Sequence, residues 1–411
     1  MAIKLERIEN FEKLGFGIFV HYGLYSQLNK GEWAWWYGKM EREEYLKTFD
    51  TFSAENFDAD GLAKLAKKAG AKYIVFTTRH HDGFSLYDTR GLNEYDSIHA
   101  PCCGRDLVKE FVDACRANDI IPFLYHTTWD WYQKDFNENF PAYLKYLQDS
   151  VEIICKYYGE IGGFWFDGNW INPSADWKED DLYGMIRKYQ PNAILVNNAG
   201  MSARGEVRHK ELDVMEFERG KAVFIDQSER ERVLASESCD SVFMHWATAN
   251  DLDYKSPRML IEALVDSKKV GANYLLNIGP KAAGEICKME EALLEKIGEW
   301  VDVYREAFFG TETLQEHVKE DYFLTRGEKD DYLFVKGLYV IGDKHVMLYD
   351  ENVKKITLSG IQRKINRISW MDNGEELLFS QENGEVQITA TQFFYGTHLI
   401  VRVARIEYAD E

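Results

Sequence analysis

The chain has 411 residues, of which 45% are hydrophobic, and it carries a formal net charge of −20 with a pI near 5.0. This length and composition predict a large core and two domains, and the acidic balance argues against nucleic acid, anionic membranes or strongly anionic substrates as partners. Six cysteines are too few for a disulfide scaffold, and no run approaches the ~18 apolar residues of a membrane span. The first ten residues lack the apolar segment of a secretory signal, so we expect a cytoplasmic protein.

Short apolar runs that end in polar residues alternate with amphipathic helical patterns before residue 310. About eight such alternations over ~300 residues are typical of a (β/α)8 barrel with some helices weak or missing, and such barrels place their active site at the C-terminal ends of the strands. A doubly wound sheet is the alternative, but no glycine-rich phosphate turn follows the first run. The predicted strands are 17–21, 73–78, 120–126, 164–166, 193–198, 212–218, 242–246 and 273–280, and the predicted helices are 56–69, 106–118, 141–158, 180–189, 256–269 and 286–308.

The fourth predicted strand carries the strongest chemical signal. Its apolar run, 164–166, ends in Asp167, and Trp165 and Trp170 stand on either side of this acid. Aromatic faces suit the apolar C–H face of a sugar, and a carboxylate suits chemistry at its anomeric carbon. The structural alternative is an aspartate that caps a helix after a core strand.

From about Gly310 the rhythm changes to short runs separated by turns. The runs 332–335, 345–349 and 399–403 read as strands, and the turns include 372–374 and 382–384. This pattern predicts a small antiparallel β-sandwich. We therefore predict a (β/α)8-like barrel in residues 1–309 and a C-terminal β-sandwich in residues 310–411, with the catalytic groups in the barrel.

Taken together and in order, several stretches resemble the α-L-fucosidases of glycoside hydrolase family twenty-nine over nearly the whole chain. The resemblance implies a barrel followed by a sandwich, and retaining hydrolysis of terminal α-L-fucose from small fucosylated glycans through a covalent glycosyl-enzyme. It implies no cofactor. The matching stretches are residues 17–26, 32–33, 72–84, 104–107, 165–168 and 273–280.

The resemblance implies one residue as the nucleophile and leaves three candidates for the acid/base. Asp167 stands where the family's nucleophile stands. The acid/base of relatives follows an aspartate in the region of the sixth strand, and Glu218, five residues after Asp213, fits this place best. Glu216 and Glu237 are the alternatives. Because Glu216 and Glu218 share one face of an extended strand, periodicity does not choose between them.

The resemblance also implies a set of residues that bind the sugar. Imidazoles and a carboxylate suit the hydroxyl groups of fucose, and aromatic side chains suit the region of its methyl group, although a core role is an equal alternative for each aromatic residue. The expected substrate-binding residues are His21, Glu32, Trp33, His80, His81, Tyr125, His126, Trp165 and Trp246.

Adjacent His80 and His81 also raise the question of a metal site. Neighbours on an extended chain point to opposite faces, and no third ligand follows at a recognisable spacing. We therefore expect neither a metal nor a cofactor.

One departure from the family concerns the residues after the fifth strand. Relatives often carry Asn-Asp-Arg there, whereas this chain has Asn197, Asn198 and Ala199, so either Arg204 or Arg208 replaces the arginine or the site lacks one.

The sequence leaves two other functions open, a fucose-binding protein without activity and a glycosidase for a related sugar such as L-galactose. Linkage preference and homo-oligomerisation are also left open.

Overall fold

Eight parallel strands form the first sheet of the computed structural model, which describes residues 3–338, 353–394 and 396–409. The strands are β1 Phe16–Val20, β2 Tyr73–Arg79, β3 Ile121–Thr127, β4 Gly163–Asp167, β5 Ile194–Asn197, β6 Val214–Glu218, β7 Ala235–Ser241 and β8 Asn273–Ile278. Their order is β5-β4-β3-β2-β1-β8-β7-β6. This nearly closed parallel sheet confirms the predicted barrel.

The gap between β5 and β6 is bridged by Asp213. Its backbone N–H donates to Leu195 O at 2.8 Å, and its carboxylate accepts the Leu195 N–H at 3.0 Å. The fully buried carboxylate also pairs with three guanidinium groups, at 3.0 Å from Arg7, 2.8 Å from Arg187 and 2.7 Å from Arg232. A buried carboxylate is stable only when it is paired in this way. Asp213 therefore helps to close the barrel.

Helices follow most of the barrel strands, and their ends carry local signals. Asp58 and Asp106 accept backbone N–H groups at the start of two helices, and Gly70 ends the first of these with φ at 88°. The helices are α1 Glu6–Glu12, α2 Ala34–Tyr37, α3 Arg42–Thr51, α4 Ala59–Ala69, α5 Leu107–Ala117, α6 Asp135–Glu138, α7 Phe140–Tyr157, α8 Glu179–Tyr189, α9 Pro257–Lys269 and α10 Lys288–Phe308, with single 3-10 turns at Leu24–Leu28, Asn169–Ile171 and Gln315–His317. No helix forms in the described residues 198–213 or 219–234, so the expected weak or missing helices are those after β5 and β6.

The predicted seventh strand, 242–246, is wrong. The strand lies just before it, at Ala235–Ser241, and its sequence is mostly polar. Glu237 and Cys239 are nevertheless almost fully buried, with Glu237 1% exposed. A search for apolar runs misses a strand whose interior face carries a hydrogen-bonded carboxyl group.

The strands after residue 310 form two antiparallel sheets. They are β9 Glu312–Thr313, β10 Tyr322–Arg326, β11 Asp331–Val335, β12 Lys354–Ser359, β13 Ile365–Trp370, β14 Leu378–Glu382, β15 Glu385–Ala390 and β16 Arg402–Tyr408. One sheet has the order β13-β16-β11-β10-β9 and the other β12-β15-β14. A single core joins side chains of both sheets, among them Leu333, Trp370 and Val386. This confirms the predicted β-sandwich.

The turn and two of the strands predicted for the sandwich differ in outcome. Asn383 and Gly384 form the β14–β15 turn with φ of 50° and 79°, as a two-residue hairpin turn requires. The strand predicted at 399–403 begins later, at Arg402, and the one predicted at 345–349 lies outside the described residues.

Two compact units divide the described residues. One comprises those of Met1–Lys255 and Ala272–Glu295, and the other those of Ser256–Gly271 and Lys296–Glu411. The domain boundary after residue 309 stays a prediction. Among the described residues, no helix is long and apolar enough to cross a membrane.

Candidate active site

Asp167 is the last residue of β4, and donors from β3 and from the segments that follow β2 and β4 surround its carboxylate. Tyr125 donates its hydroxyl to Oδ2 at 3.0 Å, and the Trp170 indole N–H donates to Oδ1 at 2.7 Å. His81 Nε2 lies 3.3 Å from Oδ2. Burial acts to raise the pKa of Asp167, but the contact with His81 and the hydrogen bonds from Trp170 and Tyr125 hold it below its ordinary value. The carboxylate is therefore kept ionised.

Glu218 ends β6 on the far side of β5, and Asn198 joins it to Asp167. The single amide nitrogen of Asn198 donates to Asp167 Oδ1 at 3.1 Å and to Glu218 Oε2 at 2.9 Å. These two oxygens are therefore no more than the sum of those distances, about 6 Å, apart. Burial and the charge of Asp167 raise the pKa of Glu218. The pair thus combines an ionised carboxylate with a carboxyl group that keeps its proton to higher pH than an ordinary glutamate.

The two alternatives to Glu218 lie opposite each other in the register of β6 and β7. Glu237 accepts hydrogen bonds from the Tyr73 hydroxyl and, at 3.1 Å, from the Trp165 indole N–H, and burial raises its pKa to about 7. Burial and the adjacent Glu237 raise the pKa of Glu216. Of the three candidates, it is Glu218 that the structure connects to Asp167 through Asn198.

His21 and His80 are two buried imidazoles beside Tyr125. His21 Nδ1 is 2.7 Å from Asn277 Oδ1, so it donates there and leaves Nε2 as an acceptor. Burial lowers its pKa to about 3, and burial also lowers that of His80. The His80 ring stacks on Tyr125 at 5.4 Å and 11°, and its Nδ1 has no hydrogen-bond partner within the described residues. Both rings are therefore neutral, and each has a nitrogen suited to a hydroxyl group.

His81 does not point away from His80 as an extended chain would require. The two ring centroids are 4.4 Å apart, because β2 ends at Arg79 and both histidines lie in the turn that follows. His81 Nδ1 is 2.7 Å from Thr127 Oγ1, which orients its other nitrogen toward Asp167. Across the described parts of the chain, no group of three His, Cys, Asp or Glu side chains is arranged to hold a metal ion.

Glu32, Trp165 and Trp246 contribute to the same region. The buried Glu32 carboxylate accepts the backbone N–H groups of Trp246 at 3.0 Å and Ala247 at 2.9 Å, which fixes the loop after β7. The Trp246 ring stacks on His21 at 5.3 Å and 26°. Trp165 stacks on Tyr125 at 5.7 Å and 20°. The aromatic rings form an apolar wall, and Glu32 positions one part of it.

His126 is not brought together with the others. Its Nδ1 donates to Thr127 O at 2.8 Å, and its Nε2 lies 3.3 Å from the Tyr87 hydroxyl. Successive residues of a strand point to opposite faces, so Tyr125 reaches Asp167 while His126 packs on the other side of β3. Applied to the sequence alone, strand alternation would have excluded His126 from the predicted binding site once Tyr125 was included.

A protein-family profile described as Alpha-L-fucosidase matches residues 4–306 of this chain. The chain belongs to the α-L-fucosidase family. A putative α-L-fucosidase of Caenorhabditis elegans is 29% identical over 72% of this chain, and the match spans 65% of that protein, just under two thirds of its length.

Solved structures support the same assignment. α-L-Fucosidase isoenzyme 1 from Paenibacillus thiaminolyticus is 27% identical, with a TM-score of 0.83 over 98% of this chain and 99% of that one. A family twenty-nine α-L-fucosidase from Bacteroides thetaiotaomicron, solved as a trapped covalent intermediate with 2-fluoro-fucosyl fluoride, has a TM-score of 0.80 at 20% identity, over 100% of this chain and 97% of that one. At that identity the likeness shows the fold alone. The barrel and the sandwich are thus the fold of the family.

Asn198 and Trp170 are the residues of this family member that sequence reasoning did not assign. Both donate to Asp167, and Asn198 also donates to Glu218. A signal was available for Asn198, because it directly follows β5, the strand between those that carry the two acids. Polar residues at the C-terminal ends of adjacent barrel strands converge.

Arg204 and Arg208 are the two candidates to replace the family's arginine. Among the described hydrogen bonds, neither donates to the carboxylate of Asp167 or Glu218. Arg204 donates to the backbone oxygen of Glu218 and, at 3.4 Å, to that of Arg219. Arg208 lines a cavity of about 150 Å³ together with Trp170 and Asn198. Arg219 is a third cation that sequence reasoning did not consider. Its guanidinium lies 4.5 Å from the centre of the Trp246 ring.

Proposed function

We propose that this protein is a retaining exo-α-L-fucosidase that removes terminal α-L-fucose from small fucosylated glycans through a covalent glycosyl-enzyme. The observation that carries the proposal is the bridge of Asn198 between Asp167 and Glu218. It limits the distance between two of their oxygens to about 6 Å. Retaining glycosidases hold their two carboxyl groups ~5–5.5 Å apart, whereas inverting enzymes need ~6.5–9.5 Å to admit a water molecule.

The two pKa directions support this division of roles. Asp167, whose pKa is lowered, attacks the anomeric carbon and displaces the leaving-group oxygen, which takes the proton of Glu218. The bond from carbon to the leaving oxygen breaks as the bond to the Asp167 oxygen forms. Water then attacks the same carbon, Glu218 takes the proton of that water, and Asp167 is released. Two inversions give overall retention.

The neighbouring residues suit fucose. Neutral His21 and His80 offer nitrogen atoms to the sugar hydroxyl groups, and Trp165 and Trp246 offer an apolar surface for its methyl group. The relative from Bacteroides thetaiotaomicron, with its trapped covalent intermediate, supports the mechanism by analogy. We keep a cytoplasmic location as a separate prediction, which fractionation of the native host would test.

The test is to follow hydrolysis of an aryl α-L-fucoside by proton NMR during the first turnovers. We expect α-L-fucose as the first product, which mutarotation then converts to the equilibrium mixture. β-L-Fucose as the first product would contradict retention and would move the mechanism to the inverting class. Binding of fucose without any hydrolysis would instead indicate a binding protein, and preferential hydrolysis of the matching L-galactoside would indicate a different sugar.

A further inference from the structure

Six aromatic rings lie against one another beside the nucleophile, and we call them the aromatic shelf. Trp33 is at its centre, with ring centroids 5.1 Å from Tyr37, 5.2 Å from Trp131 and 5.8 Å from Trp129. Trp36 extends it, 5.0 Å from Trp129 and stacked at 5.4 Å on Trp131. The members of the shelf are Trp33, Trp36, Tyr37, Trp129, Trp131 and Trp170.

The inner end of the shelf is continuous with the catalytic site. The Trp33 ring lies 6.2 Å from the Trp170 ring, whose N–H donates to Asp167. It also lies 5.3 Å from the ring of His81, which contacts Asp167. A molecule whose reacting atom is at Asp167 therefore meets the shelf as soon as it extends beyond the site on this side.

The outer end of the shelf is open to solvent. Trp36 is 51% exposed and Tyr37 is 73% exposed. Large aromatic side chains supply most of their stabilisation when buried, so two adjacent exposed rings are poorly explained by folding stability alone. Their chemistry does fit a flat ligand with apolar C–H faces and no net charge.

The shelf is also held rigidly. Arg42 donates to the backbone oxygens of Trp131 at 3.2 Å and Tyr132 at 3.0 Å, and its guanidinium lies 4.8 Å from the centre of the Tyr132 ring. Trp35 stacks on buried Tyr45 at 4.7 Å and 17°, which anchors the segment that carries Trp36. A surface that is already ordered loses little conformational entropy when a ligand binds.

We propose that the aromatic shelf binds the neutral sugar residues that follow fucose in the substrate, with Trp36 and Tyr37 as the rings on which they stack. The inference rests on the proposed fucosidase function and adds the chemical class of the leaving group, an oligosaccharide of two or more uncharged rings. Continuity with Asp167 and the flat aromatic faces favour this occupant over a protein partner.

The test compares two substrates that share fucose and differ in the leaving group. The first is a neutral fucosylated tetrasaccharide and the second is α-L-fucosyl fluoride, which has no sugar beyond fucose. We expect Trp36→Ala and Tyr37→Ala to lower kcat/KM for the tetrasaccharide on the order of five- to tenfold more than for the fluoride, mainly through KM. Tyr157→Ala, on an exposed tyrosine of α7, is the matched control and should change neither substrate.

Equal effects on both substrates, or none, would overturn the proposal. So would a change of oligomeric state in Trp36→Ala by sedimentation, because the shelf would then be a contact between copies of the chain. Failure of the fucosidase function has a different signature, the absence of fluoride hydrolysis by the wild-type protein. In that case calorimetric titration of the tetrasaccharide into the wild-type protein and Trp36→Ala still decides whether the shelf binds it.

Discussion

Two pairs of carboxyl groups in this barrel differ in how their pKa values are shifted. Asp167 and Glu218 end their strands and are joined by Asn198, and their pKa values are moved apart. Glu216 and Glu237 face each other within β6 and β7, and burial raises the pKa of both. Glu216 is only two residues before Glu218 on the same face of β6, so the proposed acid/base and an interior glutamate are neighbours on one strand.

The difference lies in the donors around each pair. At the ends of the strands, Tyr125 of β3 and the residues His81 and Trp170 beyond the strands stabilise the charge of Asp167. Glu218 accepts a hydrogen bond from Asn198. In the interior, Glu237 receives hydrogen bonds from Tyr73 and Trp165, and burial still dominates its pKa. The donors at the strand ends thus separate the pKa values of Asp167 and Glu218, whereas burial raises the pKa of both interior glutamates.

Of the variants in the two carboxyl pairs, the one that removes the proposed nucleophile should lose the most activity. We expect Asp167→Ala to lower kcat/KM for an aryl α-L-fucoside by about a thousandfold or more, because the variant has no carboxylate to form the glycosyl-enzyme. Added azide should react in the vacated space and give β-L-fucosyl azide, which NMR identifies. Asp176→Asn, on an exposed aspartate of the β4–α8 connection, is the control. Retention of more than about a tenth of wild-type activity by Asp167→Ala would assign the nucleophile elsewhere.

Removal of the acid should depend on the leaving group. Glu218→Ala should lower kcat/KM about a hundredfold or more for an oligosaccharide and much less for 4-nitrophenyl α-L-fucoside, because nitrophenolate leaves without a proton. Azide should here intercept the glycosyl-enzyme and give α-L-fucosyl azide, the opposite anomer from the Asp167 variant. Glu216→Ala and Glu237→Ala are the matched tests of the interior pair. If α-azide forms with one of these and not with Glu218→Ala, the acid/base role moves to that residue.

Loss of the bridge should be milder and should appear in the pH profile. Asn198 donates to Glu218 and so lowers its pKa against the larger effects of burial and the Asp167 charge. In the proposed mechanism, activity requires protonated Glu218 and is lost as the pH rises through its pKa. Asn198→Ala should therefore move the alkaline limb of kcat/KM to higher pH and lower its maximum about ten- to a hundredfold.

Asn197→Ala provides the control for this effect. Its amide donates to Tyr183 at 2.9 Å, and Tyr183 belongs to α8. The variant should leave the alkaline limb where it is in the wild-type protein. An identical shift in both variants would mean that the limb reports general loosening of this region and that the bridge has no specific effect on Glu218.

The sequence predicted the acid at the end of β4 because an apolar run marks its strand directly. It missed β7, since hydropathy does not reveal that Tyr73 and Trp165 satisfy Glu237 in the interior. The choice among the three glutamates also depends on register, which places Glu218 level with the strand end and Glu237 opposite Glu216. Register arises from contacts between strands, so patterns within one strand could not supply it.

The smallest expected effect concerns stability and the interior pair. Glu237 has a pKa of about 7 in the folded protein and near 4.5 as an ordinary glutamate. Between these pH values the folded state binds more protons than the unfolded state, so the free energy of unfolding falls as the pH rises. The fall should be on the order of 1–3 kcal/mol and complete above the folded pKa.

Glu237→Gln tests this directly, because its amide oxygen can still accept from Tyr73 or Trp165 and it carries no titrating proton. Urea unfolding at a series of pH values from 4 to 8 should show a smaller decline for this variant than for the wild-type protein. Glu160→Gln, at an exposed glutamate, should leave the decline unchanged. Parallel curves for the wild-type protein and Glu237→Gln would show that ionisation of Glu237 in the interior does not lower the free energy of unfolding. The contrast between the two carboxyl pairs would then come from the hydrogen-bond donors around Asp167, and burial of Glu237 would not contribute to it.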